Sequence, residues 1–128
     1  MTLLDSNVLI ASVRRADLKL RSLFRNLPGA VCGAVRAEFL HGAKDAADQV
    51  HLLAILDALV QVPTPETVWD ETGDLLFRLR KNGIIVPFND AVIASVAVAA
   101  DIELWTRDNQ FQLIQRFEPR LRLFQEPP

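Results

Sequence analysis

Cysteine is almost missing from the 128-residue chain: a single Cys32 excludes an intramolecular disulfide and a thiolate metal cluster, and suits a reducing compartment. It lies in the apolar stretch AVCGAV, where a thiol reads as a small buried hydrophobe. Histidine is scarce as well. His41 and His51 have no second His or Cys at zinc-ligand spacing, so both read as surface or helix-packing residues. There is no basic excess either: 14 Lys and Arg against 16 Asp and Glu give a formal net charge of -2, and no global field attracts a polyanion. Any such partner must be handled locally. The acids are mildly uneven, ten in residues 66–128 against six in residues 1–64, while the bases divide seven and seven. No apolar run approaches the roughly 18 residues that span a membrane; the longest, AVIASVAVAA, stops at Asp101. The opening MTLLDSN has no basic leader before an apolar core. These absences predict a soluble, cytoplasmic protein. With neither repeat nor linker, and at a length typical of one domain, residues 1–128 are expected to form a single unit.

What is present is a regular alternation. TLL reads as a short strand, and SNVLIASVRR as a helix starting near Ser6 or Asn7. DLKLRSLFRNL is a second helix capped by Asp17 and stopped at Pro28 and Gly29. AVCGA is a buried strand, followed by a helix from about Val35, a bend near Gly42 to Asp45, and a further helix through DAADQVHLLAILDAL. VQV is a strand closed by Pro63. PETVWDETGDLLFRLRKNG has Pro65 at a helix start and Gly83 at its end. IIVP is extended, NDAVIASVAVAAD is an almost wholly apolar helix, ELWT a strand, DNQFQLIQRF a short helix and LRLF a closing strand. This order predicts the α/β class, with a short-stranded, mainly parallel sheet covered by helices on both faces.

In open sheets of this kind ligands bind outside the carboxyl ends of the strands. Asp5 follows TLL directly and Asp108 follows ELWT by one residue, which places both at one sheet edge. Asp90 opens the apolar helix, and Glu38 lies in the early turns of the helix after AVCGA. Four gathered carboxylates repel one another unless a cation sits among them, and oxygen donors without His or thiolate select hard ions such as Mg²⁺ or Mn²⁺. Such ions activate water and stabilise in-line attack on phosphodiesters, so metal-dependent phosphodiester hydrolysis is the expected chemistry.

The stretches LLDSNVLI, VRAEFLHG, PFNDAVIASVAVA and LWTRDNQF resemble, in order and spacing, the four acidic motifs of PIN-domain ribonucleases, and in particular the VapC toxins of bacterial toxin–antitoxin systems. The resemblance covers nearly the whole chain. It implies one PIN domain over residues 1–128, folded as a three-layer α/β/α sandwich. It further implies Mg²⁺- or Mn²⁺-dependent endonucleolytic cleavage of RNA, homodimerisation, and arrest of translation or growth until a cognate VapB-type antitoxin fills the active-site groove. Carried over position by position, Asp5, Glu38, Asp90 and Asp108 match the family's catalytic metal-binding acids. Asn7 matches the polar residue two after the first Asp, and Thr106 the hydroxyl residue before the last. Many relatives carry Ser or Thr shortly before the conserved Glu, where this chain has Ala34, Val35 and Arg36.

Each acid also has a plainer reading. Asp5, Asp90 and Asp108 could cap the helices that follow them, although Ser6, Asn7 and Asn89 offer alternative caps, and Glu38 could pair with Arg36 or Lys44. Asp101 and Glu103 read as a solvated turn, and Asp70, Glu71 and Asp74 as an exposed helix face. Trp69, Phe77 and Leu79 read as a core or dimer face. Arg14, Arg15, Arg78, Arg80, Lys81 and Arg107 are candidate phosphate contacts, Arg107 foremost because it adjoins Asp108. Two other functions stay open on the sequence. A haloacid-dehalogenase-like phosphatase also opens with Asp at a strand end but wants a second Asp where this chain has Asn7. A PIN-like module could bind RNA or protein without cutting.

Overall fold

A computed structural model describes residues 1–14 and 17–128; Arg15, one of the candidate phosphate contacts, lies outside the described residues. Among the described residues the chain runs β1 (Thr2–Leu4), α1 (Ser6–Val13), α2 (Leu18–Phe24), β2 (Gly29–Cys32), α3 (Gly33–His41), α4 (Ala46–Asp57), β3 (Val60–Val62), α5 (Thr67–Lys81), α6 (Phe88–Ala100), β4 (Glu103–Trp105) and α7 (Gln110–Phe117). The four strands form one sheet in the order β3-β2-β1-β4, and every pairing is parallel. The chain thus builds outward from β1 through β2 to β3, then crosses back to lay β4 on the other side of β1. That reversal falls between β1 and β4, where a parallel sheet opens a crevice at its carboxyl edge.

Parallel neighbours require crossover connections, which are right-handed almost without exception, and a reversal of direction then sends the two sets of helices to opposite faces. Packing largely follows this division: α1 meets α2 and α3, and α3 meets α4, while α5, α6 and α7 pack on one another, and α3 also meets α6. Strands β1 and β2 and the end of β4 are apolar because both faces are covered; Leu3, Leu4, Ala30, Val31, Leu104 and Trp105 are essentially inaccessible. Helix α6 is buried from Ala91 through Ala97, so its near-total lack of polar residues reflects contact on several sides. Helix α5 turns only Val68, Thr72, Leu75 and Leu79 inward, a helical repeat that leaves Asp70, Glu71 and Asp74 in solvent. Gly29 permits a close approach: a Cβ there would stand 2.8 Å from Leu4 Cδ1.

Several boundaries move from their sequence expectation. Strand β2 ends at Cys32, and Gly33 and Ala34 already belong to α3, so that helix begins two residues before Val35. LRLF is not a strand. Leu104 and Leu123 form one bridge, through Leu104 N–H to Arg122 O at 2.9 Å and Phe124 N–H to Leu104 O at 2.8 Å. The chain then leaves the ladder because Phe124 packs on the Trp105 ring at 4.5 Å and Glu126 accepts from Trp105 Nε1 at 3.2 Å. Trp69, Phe77 and Leu79 do not share a face: Leu79 is core, and the two aromatics are about half exposed. Cys32 is buried as expected, and burial pushes its thiol pKa up. No helix among the described residues is long and apolar enough to cross a membrane.

Leu3→Ala, which empties a wholly buried position of the central strand, is expected to cost about 2–5 kcal/mol in urea unfolding. Val60→Ala, on the half-exposed edge strand β3, is expected to change stability by no more than about 0.5 kcal/mol.

Candidate active site

Asp5 ends β1 and begins α1. Its backbone N–H donates to Trp105 O at 2.9 Å, continuing the β1–β4 pairing by one step, and its Oδ1 accepts the Ser6 N–H at 2.8 Å as the cap of α1. The cap reading and the site reading therefore describe the same side chain, because the second oxygen is used differently: Oδ2 accepts from Thr106 Oγ1 at 2.7 Å across the crevice. Asp5 is only 4% exposed, and burial is the first cause that raises its pKa, with Glu38 and Asp108 adding to it. The Thr106 hydroxyl and the Ser6 N–H oppose that rise by stabilising the anion.

Thr106 is the hub of the β4 side. Besides donating to Asp5, its Oγ1 accepts from Asp108 N–H at 3.0 Å and from Asn7 Nδ2 at 3.3 Å. Asn7 Oδ1 in turn accepts the Arg107 N–H at 3.2 Å. The first turn of α1 is thus tied to the loop after β4, and Asp108 is delivered to the crevice with its Oδ1 accepting from Gln110 N–H at 2.9 Å at the entry to α7. The amide of Asn7 is consumed in this brace.

Glu38 reaches the site from the second turn of α3. Its Oε1 accepts from the Ser6 hydroxyl and its Oε2 from Asn89 Nδ2. Both donors escaped the sequence reading, which considered Ser6 and Asn89 only as caps. The signal available was adjacency, since each directly precedes or follows an acid of the site. Neither Arg36 nor Lys44 claims Glu38: Arg36 pairs with Asp57 at 2.6 Å, and the Lys44 backbone N–H donates to Asp48.

Asp90 stands in the first turn of α6, partly buried, and among the described residues its carboxyl accepts no hydrogen bond. Its pKa is pushed up to about 6, first by burial and then by the negative charge of Asp5, Asp108 and Glu38. The four acids from β1, α3, α6 and the β4–α7 loop therefore share one electrostatic neighbourhood. Among the described residues, no three His, Cys, Asp or Glu side chains form a closed coordinating group. The donor set is oxygen throughout, and the unrelieved repulsion on Asp90 is the field a hard divalent cation offsets; on both counts the residues fit Mg²⁺ or Mn²⁺.

The other candidates lie elsewhere. Arg107 is held by Asp17 at 2.9 Å and by Glu126 through two bonds of 2.9 Å each, so its guanidinium is already engaged. Arg14 is paired with Asp48, whose pKa it draws down to about 2. Arg78 is shared among Asp74, Glu118 and Phe117 O. Arg80 and Lys81 lie over the Phe77 ring. His41 and His51 are exposed and away from the acids' hydrogen-bond network.

A four-stranded parallel α/β fold with four acids at its carboxyl-edge crevice defines a class, and the PIN-domain family profile matches residues 2–116: the chain belongs to the PIN domain family. Among solved structures it is similar to VapBC2 from Rickettsia felis bound to a DNA fragment from their promoter, with TM-score 0.82, 24% identity and 96% of each chain covered. It is similar also to DNA-bound VapBC from Salmonella typhimurium, with TM-score 0.80, 20% identity, and 97% of this chain and 98% of that one covered. VapBC-1 from nontypeable Haemophilus influenzae gives 0.80, 18% identity and 96% of each chain. At these identities the likeness is one of fold. No curated protein sequence matches the chain. Membership of the PIN family leaves no ground for the haloacid-dehalogenase-like alternative.

A carboxyl that titrates near 6 when folded and near 3.9 when unfolded binds its proton more tightly in the folded state. Ionisation of Asp90 therefore costs stability as the pH rises through that window, and the full cost is felt above it. Asp90→Asn is expected to stabilise the metal-free protein at pH 7.5 by on the order of 1–2 kcal/mol, a figure discounted for solvent screening of a half-buried group. The gain should vanish below pH 4. Thermal unfolding in EDTA at the two pH values measures it, and a variant less stable than the parent at pH 7.5 would contradict the repulsion.

Proposed function

We propose that the protein is a divalent-metal-dependent endoribonuclease, the toxin of a VapBC-type toxin–antitoxin pair. The observation that carries this reading is the convergence of Asp5, Glu38, Asp90 and Asp108 from four separate segments on one crevice. Asp5, Glu38, Asp90 and Asp108 would hold a Mg²⁺ or Mn²⁺ ion, which would supply Lewis acidity toward water and the phosphoryl oxygens. Asp5 and Glu38 are fixed donors, since each has both oxygens held, Asp5 by Ser6 and Thr106 and Glu38 by Ser6 and Asn89. Asp90 and Asp108 complete the set, and a free carboxylate oxygen among the four takes the proton of the attacking water. Asn7 and Thr106 act by orientation: they set the angle of Asp5 and the course of the loop that carries Asp108.

The wider reading follows from the relatives. The three solved structures compared above are of VapBC proteins, two of them bound to DNA. With the motif resemblance, they lead to the reading of a cytoplasmic toxin that forms a homodimer, assembles with a cognate VapB-type antitoxin, and hydrolyses RNA to arrest translation until the antitoxin covers the crevice.

RNA incubated with the protein is expected to be cut in Mg²⁺ or Mn²⁺ and left intact in EDTA. Asp5→Asn should keep the fold by far-UV circular dichroism and lose cleavage altogether. Thr106→Val, which leaves Asp5 in place but frees its Oδ2, should cost about 10–100-fold in rate. RNA equally intact in Mn²⁺ and in EDTA would replace the nuclease with a binding module of the same fold.

A further inference from the structure

Sharing Asp108 and Thr106 with the carboxylate cluster, but extending away from Asp5, Glu38 and Asp90, lies a cavity of about 320 Å³ walled by the loop after β4, the start of α7 and the C-terminal tail. It is built rather than incidental. Phe124 is anchored to Leu104 O and to the Trp105 ring, and Glu126 ties the tail to Trp105 and Arg107. The same tail contact that ends the LRLF pairing after one bridge therefore raises the far wall of this cavity.

The lining has a consistent chemistry. Asn109, Gln112 and Gln125 face it, and among the described residues none of their side-chain amides makes a hydrogen bond. Two other glutamines spend their amides within the fold, Gln61 on Leu56 O at 2.8 Å and Gln115 on Leu121 O at 2.8 Å. Phe124 supplies an aromatic wall. The charge at the rim disfavours phosphate: Asp108 and Glu126 are acidic, and the Arg107 guanidinium is already divided between Glu126 and Asp17. A neutral, flat group with several donors and acceptors suits it better. Amides pair in bidentate fashion with base edges, and single-stranded RNA is read by splaying a base onto an aromatic and bonding its edge. The volume sits at the lower end of the roughly 300–1,000 Å³ usual for small-molecule sites, enough for one base and its ribose.

We propose that this cavity is a nucleobase subsite that reads one base of the RNA strand adjoining the phosphate held at the carboxylate crevice, with the Gln112 and Gln125 amides as the discriminating groups. The proposal rests on the ribonuclease reading, and its test has an arm that does not. In EDTA, binding of the four homopolymeric RNA hexamers is measured for the parent protein and for the double variant Gln112→Ala/Gln125→Ala, both positions exposed. The parent is expected to prefer one hexamer by roughly tenfold, the scale of one good amide–base pair, and to shift the side-chain amide NMR signals of Gln112 and Gln125 with it. The double variant should level the four hexamers to within about twofold. A parent that binds all four alike, or none, overturns the subsite, as does a preference that survives both substitutions. Cleavage of mixed-sequence RNA in Mn²⁺, run in parallel, separates the two readings. A protein that cuts without base preference loses the subsite and keeps the nuclease. One that discriminates hexamers but leaves RNA intact keeps the subsite and loses the nuclease.

Discussion

Like-charge repulsion is the constraint to which the rest of this molecule answers. Two unit charges 4 Å apart oppose each other by about 4 kcal/mol at an effective dielectric of 20, and here four carboxylates are drawn into one crevice while one of them, Asp5, is nearly inaccessible. Among the described residues the cost is met with dipoles rather than with cations. Ser6 N–H, the Ser6 and Thr106 hydroxyls and the Asn89 amide all aim donors at carboxylate oxygens, whereas Arg14, Arg36 and Arg107 are paired with Asp48, Asp57 and the Asp17–Glu126 pair away from the cluster. Neutral donors orient the acids without cancelling their charge, and the field stays available to the divalent ion of the proposed function.

The fold supplies the convergence. Because β4 returns to lie beside β1, residues 100 positions apart become neighbours: Asp5 and Asn7 on one side, Thr106 and Arg107 on the other. Short strands suffice, since each needs only to bring one acid to the edge. The small residues of α6 allow Asp90 to be carried in on a helix buried from Ala91 to Ala97, and α3 brings Glu38 up from the opposite group of helices. The tail adds a second, polar chamber next to Asp108 rather than a fifth strand.

How far all this was legible in the sequence depends on whether the cause is local. Strands β1, β3 and β4, the cap Asp17, and the apolar α6 were readable because periodicity and capping act within a few residues. The four acids stood out because each sits at a strand end or an early helical turn, and four ordered motifs sharpened what one could not. Nonlocal partners left no such trace. That Ser6 and Asn89 would hold Glu38, or that Asp17 and Glu126 would take Arg107 out of contention for phosphate, follows from contacts spanning 19 to 90 residues. LRLF has the composition of a strand, and only the pull of Trp105 and Arg107 on Phe124 and Glu126 explains why it bridges once and departs.

The most direct measurement is the anomalous diffraction of crystals grown with Mn²⁺. The account predicts an anomalous peak in the crevice, with carboxylate oxygens of Asp5 and Asp90 at roughly 2.0–2.6 Å, the range for hard divalent ions and oxygen, and with Glu38 or Asp108 reached directly or through water. Manganese bound only at the exposed acids of α5, or a crevice left empty at saturating Mn²⁺, would contradict it.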